Sequence, residues 1–142
     1  MWVEQFARGS AITEAYAFPL DGAGLDFRPL LLEVVRDRQR GRDPGEIARA
    51  FQRGIAVGLR DCVTSLCRVH SLDTIVLSGG VFQNELLLED VKSLLEGEVC
   101  IWTNHAVPPN DGGISLGQAA LAAFTSPPLL TRRHPELAKD LA

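Results

Sequence analysis

An α/β domain is predicted here by a motif that occurs twice and by the size of the chain. The apolar, β-branched run Thr74-Ile75-Val76-Leu77 leads into Ser78-Gly79-Gly80-Val81-Phe82-Gln83-Asn84, and a helical pattern follows. The shorter run Val99-Cys100-Ile101-Trp102 leads to Val107-Pro108-Pro109-Asn110-Asp111-Gly112-Gly113-Ile114, again ahead of a helical pattern. The chain thus reads strand, glycine turn, helix, and then repeats the order. With 142 residues, 46% of them hydrophobic and 23% charged, it is long enough for one domain with a real core. Glycine lets the backbone approach a ligand with no Cβ in the way, and a following helix N-terminus offers free N–H groups and a positive dipole end. Two such loops side by side describe a wall for a phosphorylated or acylated nucleotide.

The remaining elements follow in order. Residues 1–8 read as the end of a helix with Trp2, Val3 and Phe6 on one side, and the lack of a capping residue ahead of it leads us to expect further chain upstream. Ala15 to Leu20 and Gly24 to Phe27 flank Asp21-Gly22, a hairpin-type turn. Pro29 fits a first helical turn, and Leu30, Leu31, Val34 and Val35 then form a short helix ending near Gly41. Asp43-Pro44 opens the next helix with an N-cap and a first-position proline, and that helix runs to about Val69. Ile47, Phe51, Ile55, Leu59, Val63 and Leu66 form its apolar stripe. A row of small residues, Ala50, Gly54, Gly58 and Cys62, predicts close approach to a sheet or another helix. After the first glycine turn, Leu86, Leu87, Val91, Leu94 and Leu95 face inward and Gly97 ends the helix. The last helix carries Ile114, Leu116, Ala119, Ala120, Leu121 and Phe124. Pro127-Pro128 stops it, and residues 126–142 read as a polar, flexible tail.

Composition excludes several classes. A net charge of -4 and a pI near 5.3 argue against non-specific nucleic-acid binding. No apolar run approaches the roughly 20 residues of a membrane span, and no signal peptide is read at Met1-Trp2-Val3-Glu4-Gln5. Cys62, Cys67 and Cys100 form an odd set without CxxC spacing, which predicts buried thiols in a reducing, cytoplasmic setting. Arg36, Arg38, Arg40 and Arg42 alternate as a solvated face near a helix end.

Three chemistry-bearing positions each have a plain alternative. Ser78, Gly79 and Gly80 either touch a phosphate or ribose through backbone N–H groups and the hydroxyl, or form a tight turn. Asn84 is either a helix N-cap or a donor to a sugar or base. Asp111 is either a cap or a hard carboxylate ligand for a metal. His70, His105 and His134 lack metal-ligand spacing, and no Walker loop, GxGxxG fingerprint or Ser–His–Asp arrangement is present.

These motifs resemble the C-terminal part of the HypF carbamoyltransferases, which mature [NiFe] hydrogenases. The resemblance rests on Ser78 through Asn84 with Leu87, then Val107 through Ile114 with Leu116-Gly117-Gln118-Ala119. Upstream it includes Tyr16-Ala17-Phe18-Pro19-Leu20 and Asp43 through Ala56. A similar Gly-Gly-Val-x-x-Asn skeleton marks the related Kae1/TsaD tRNA-threonylcarbamoyl enzymes, whose Asp-Asn-Ala-Ala version is absent here. The resemblance implies an actin-like ASKHA (ribonuclease H-like) lobe, with a central mixed sheet flanked by helices. Residues 1–125 would be the second lobe of a Kae1-like nucleotide-binding domain.

It further implies that ATP and carbamoyl phosphate form carbamoyl-adenylate, and that the carbamoyl group passes to the C-terminal cysteine of a HypE-like partner. Ser78, Gly79, Gly80, Asn84 and Gly112 would line the nucleotide, and Asp111 would hold a divalent metal (Mg, Fe or Zn). The family's His-x-x-x-His pair from the first lobe is absent from this chain. The family also often has Phe-His where this chain has Phe51-Gln52. The chain is therefore expected to be inactive alone and to work with the missing N-terminal lobe. One alternative is a non-catalytic interaction or homo-oligomerisation module, using the exposed lobe face; another is a free-standing, Rossmann-like nucleotide binder.

Overall fold

The computed structural model describes residues 2–22 and 24–124. The polar tail expected at 126–142, with His134, lies outside the described residues. Five helices and four short strands follow in the order α1 (Trp2–Arg8), β1 (Leu20–Asp21), β2 (Gly24–Leu25), α2 (Phe27–Gln39), α3 (Pro44–His70), β3 (Thr74–Leu77), α4 (Glu85–Leu95), β4 (Cys100–Thr103) and α5 (Ile114–Phe124).

Local chemistry sets most of these boundaries. The Asp26 carboxylate accepts from Arg28 N–H and starts α2 two residues ahead of Pro29. Asp43 accepts from Gly45 and Glu46 N–H at the head of α3, with Pro44 as its first residue. At the other end Ser71 adopts a left-handed conformation and returns its N–H to the Cys67 carbonyl. Gly97, at φ +78°, follows the end of α4.

The long helix α3 organises the core. Ala56 packs with Leu77 of β3 and with Leu87, Val91 and Leu95 of α4. Around on another side, Ala50 and Ile47 pack with Tyr16 and Leu30. The row of small residues presses closely on another helix, as expected, since a Cβ at Gly54 would stand 2.8 Å from the Leu30 Cδ1 of α2. It presses as closely on the segment leading to β1. A Cβ at Gly54 would stand 2.5 Å from the Tyr16 carbonyl oxygen, and one at Gly58 would stand 2.7 Å from that of Phe18. Tyr16 N–H donates to the Ala50 carbonyl at 3.1 Å, and its hydroxyl donates to Asp37 at 2.7 Å.

Several expectations are corrected. Instead of one central mixed sheet, the described residues form two separate sheets of two strands. β1 pairs antiparallel with β2, and β3 pairs parallel with β4. The β3–β4 sheet is covered on one face only, since Ile75, Leu77 and Ile101 join the core while the register pair Val76 and Trp102 stay about two-thirds exposed. The side of α1 that carries Trp2, Val3 and Phe6, which the sequence assigns to neither core nor solvent, is its exposed one, and Glu4 and Ala7 are the buried residues. Leu66, assigned to the apolar stripe, is half exposed. All three thiols are free, but only Cys67 is buried and Cys100 is exposed. Arg42 leaves the solvated arginine row: its guanidinium bonds Glu14 and Asp37 at 2.7 Å and Glu46 at 3.0 Å. Those three carboxylates hold Arg42 firmly charged.

The contacts at α3 yield a test. Alanine normally gains about 1 kcal/mol over glycine inside a helix. At Gly54 the new methyl meets a backbone carbonyl that cannot rotate away, so Gly54→Ala is expected to destabilise the chain by about 1–3 kcal/mol in urea unfolding. Gly117→Ala in α5, where nothing lies within 4 Å, should not. A stabilised Gly54→Ala variant would refute the close contact.

Candidate functional site

The parallel pairing of β3 with β4 places the two glycine loops at the same end of one sheet. Leu77 is in register with Thr103, so Ser78 and Asn104 leave the sheet side by side. From there the loops converge: a Cβ at Gly80 would stand 3.9 Å from the Asn110 Cβ. Ligands in parallel sheets sit at this carboxyl end.

Gly79 is the residue that shapes the first loop. Its φ of +99° with ψ of 159° is open to glycine alone, and no atom lies within 4 Å of where a Cβ would stand. A turn of 3₁₀ helix, Gly80–Gln83, separates it from α4, with Phe82 N–H donating to the Gly79 carbonyl at 3.1 Å. Ser78 and Gly80 are exposed and Gly79 is half-buried.

The head of α4 is already occupied by protein groups. Asn84, 3% exposed, accepts from Leu87 N–H through its Oδ1 at 3.1 Å. The plain reading of Asn84 as an N-cap is therefore seen directly. Glu4 of α1 accepts from the backbone of Leu86, and Arg8 binds both Glu4 and Glu85 at 2.9 Å. Two carboxylates thus stand at this helix end, where an anion was expected to find free N–H groups. The Leu86 and Leu87 N–H groups at the head of α4 are thus already bonded within the protein.

The second loop behaves similarly. A 3₁₀ turn, Asp111–Gly113, precedes α5. Asn110, rather than Asp111, is its cap, accepting from Gly112 N–H at 2.9 Å. Gly112 and Gly113 pack against their own loop: a Cβ at Gly113 would stand 3.1 Å from the Pro108 carbonyl oxygen. Asp111 is exposed, and its backbone carbonyl accepts from Ile114 N–H. His105 meets Thr103 Oγ1 at 3.3 Å and lies in the exposed part of the loop.

The fit to the implied ligands differs between them. An anion or phosphate fits the open backbone at Gly79. A metal does not fit these residues alone, because among the described residues no three His, Cys, Asp or Glu side chains come together. No helix of the described residues is long and apolar enough to cross a membrane.

Comparison with known proteins gives the family. Residues 1–118 match the family described as carbamoyltransferase, Kae1-like domain, second subdomain. The chain belongs to the HypF carbamoyltransferase family. The carbamoyltransferase HypF of Rhodobacter capsulatus is 30% identical over 105 residues, covering 74% of this chain and 14% of that protein. HypF2 of Cupriavidus necator is 30% identical over 107 residues, covering 75% of this chain and 13% of that protein. The chain therefore spans about one seventh of the length of these HypF relatives. HypF of T. kodakarensis superimposes with a TM-score of 0.76 at 24% identity, over 88% of this chain and 16% of that one. A full-length HypF in its phosphate- and nucleotide-bound form gives a TM-score of 0.75 at 29% identity, over 84% and 16%.

The Glu4 anchor predicts a pH dependence. Arg8 first, and the Leu86 N–H with it, hold the Glu4 carboxyl below its ordinary value of 4.5. A depressed carboxyl contributes its stability above that value and loses it as the pH falls through the folded-state pKa. Glu4→Gln should therefore lower the urea midpoint at neutral pH, and the gap to wild type should close below pH 4.5. A gap that stays constant with pH would show that the anchor is not ionic.

Proposed function

We propose that this HypF-family chain forms one wall of the nucleotide site of an ATP-dependent carbamoyltransferase. The observation that carries this is the open, glycine-only backbone at Gly79, set beside the Asn110 loop at the carboxyl end of a parallel sheet. Family membership supplies the chemistry: ATP and carbamoyl phosphate give carbamoyl-adenylate, whose carbamoyl group passes to a cysteine of a HypE-like partner. Ser78, Gly79 and Gly80 border the phosphates, with Gly112 and Asn84 behind them; Asn84 acts by fixing the head of α4. Asp111 contributes one exposed carboxylate to a divalent metal site whose remaining ligands come from the first subdomain. Its free side chain, with the capping role held by Asn110, supports that assignment. The actin-like two-lobed arrangement and a cytoplasmic location belong to the same reading.

A second reading is favoured by a separate observation. Val76, Trp102, Leu116, Leu121 and Phe124 are all more than half exposed, and apolar surface of this kind invites association. On that reading the chain is an interaction module that binds another subdomain or a second copy of itself.

Two measurements separate the readings. The chain, mixed with a first subdomain from a HypF relative, is assayed for carbamoyl phosphate-dependent conversion of ATP to AMP. Turnover in the mixture and none in either part supports the shared site; association without turnover favours the interaction module. In the active mixture Asp111→Ala should abolish turnover while shifting unfolding of the chain by no more than about 0.5 kcal/mol, as for other surface changes. Retained turnover would remove Asp111 from the site.

A further inference from the structure

A groove of about 380 Å³ opens between α1, α2 and α3, walled by Val3, Leu31, Val34, Ile47 and Phe51. None of its lining residues belongs to β3, β4 or either glycine loop. Its floor is the outer surface of the second core cluster. Ile47 is buried there with Tyr16, Leu30 and Ala50, and Val34 and Phe51 pack against them. Val3 and Leu31 are 42% and 48% exposed. The volume lies within the roughly 300–1,000 Å³ of small-molecule sites, which are mostly apolar with a few groups that fix orientation.

One lining residue is charged. Arg38 borders a groove that is otherwise apolar, and it is exposed. An arginine so placed covers apolar surface with its stem and keeps its guanidinium in water. Its neighbours in the arginine row are all engaged. Arg36 bonds Glu33, Arg40 stands 3.5 Å from Asp37, and three carboxylates hold Arg42. Among the described residues, no carboxylate pairs with Arg38.

We propose that this groove binds a small aliphatic carboxylate, with its chain along Val34 and Phe51 and its carboxylate on the Arg38 guanidinium. Three helices make the wall concave, so a small ligand loses most of its apolar surface to it. The unpaired cation at the edge then selects the anionic head. The chain as a whole carries a net charge of -4, which disfavours anions in general. A preference for the anion therefore reports the local charge at Arg38. The site stands apart from the nucleotide reading, and neither depends on the other.

The probe is decanoate below its micelle-forming concentration, with decanol and decyltrimethylammonium as neutral and cationic controls. In the methyl-labelled chain, the Leu31, Val34 and Ile47 signals should move saturably with decanoate. Val76, on the open face of the β3–β4 sheet, should not. Decanoate should bind more tightly than either control. Arg38→Gln should weaken decanoate about three- to fivefold, the worth of an exposed ion pair, and leave decanol unchanged. Ala48 also lines the groove, and Ala48→Leu should fill it and abolish binding of both, with urea unfolding confirming an intact fold. Equal movement of Val76 would mean general adhesion to apolar surface and overturns the proposal. Stationary groove methyls overturn it too, leaving the groove to a protein partner. A decanoate affinity indifferent to Arg38→Gln also overturns it, since the carboxylate is then not recognised.

Discussion

The parallel register of β3 and β4 is the constraint on which the candidate site depends. Leu77 opposite Thr103 brings the two loops to one edge of one sheet, and the contact between Gly80 and Asn110 follows from it. A slip of β4 by one residue would turn Ile101 out of the core, to the face where Trp102 now stands. The apolar contacts of α3 and α4 against one face of this sheet thus specify the register and the loop geometry together.

α3 meets that demand by presenting different chemistry on different sides. Ala56 and its neighbours pack onto the sheet and α4. Gly54 and Gly58 admit the backbone of an extended segment at distances that a side chain would forbid. Arg49 binds Asp90 of α4 through a two-pronged ion pair, which Arg53 supports at 3.6 Å. A forked guanidinium fixes orientation as well as distance. The result holds α4, and with it the capped residue Asn84, at a set position behind the glycine loop.

The structure also changes how an anion would be recognised. The helix dipole at α4 is already complemented by Glu4, Glu85 and the Asn84 cap. Recognition then falls to a short run of loop amides, which a glycine can orient. Ser78 and Gly80 of that run are exposed, and Gly79 between them is half-buried.

Much of this was legible in the sequence, because it depends on local chemistry. Asp43-Pro44 starts α3, Gly97 follows the end of α4, and both strands of the parallel sheet lie within a residue of their predicted positions. The family was legible as well, since its paired loops are short and contiguous. Tertiary packing decided what depends on residues distant in the chain. Glu4 is buried because Arg8 and the Leu86 amide neutralise its cost, which no helical periodicity reveals. Arg42 leaves the solvent because Glu14, Asp37 and Glu46 converge on it. Asn110 rather than Asp111 is the cap because Asn110 is the extended residue ahead of the turn, a position for which both residue types are competent. Sequence patterns report which groups a segment can offer; which of them finds a partner is settled only when the other segments arrive.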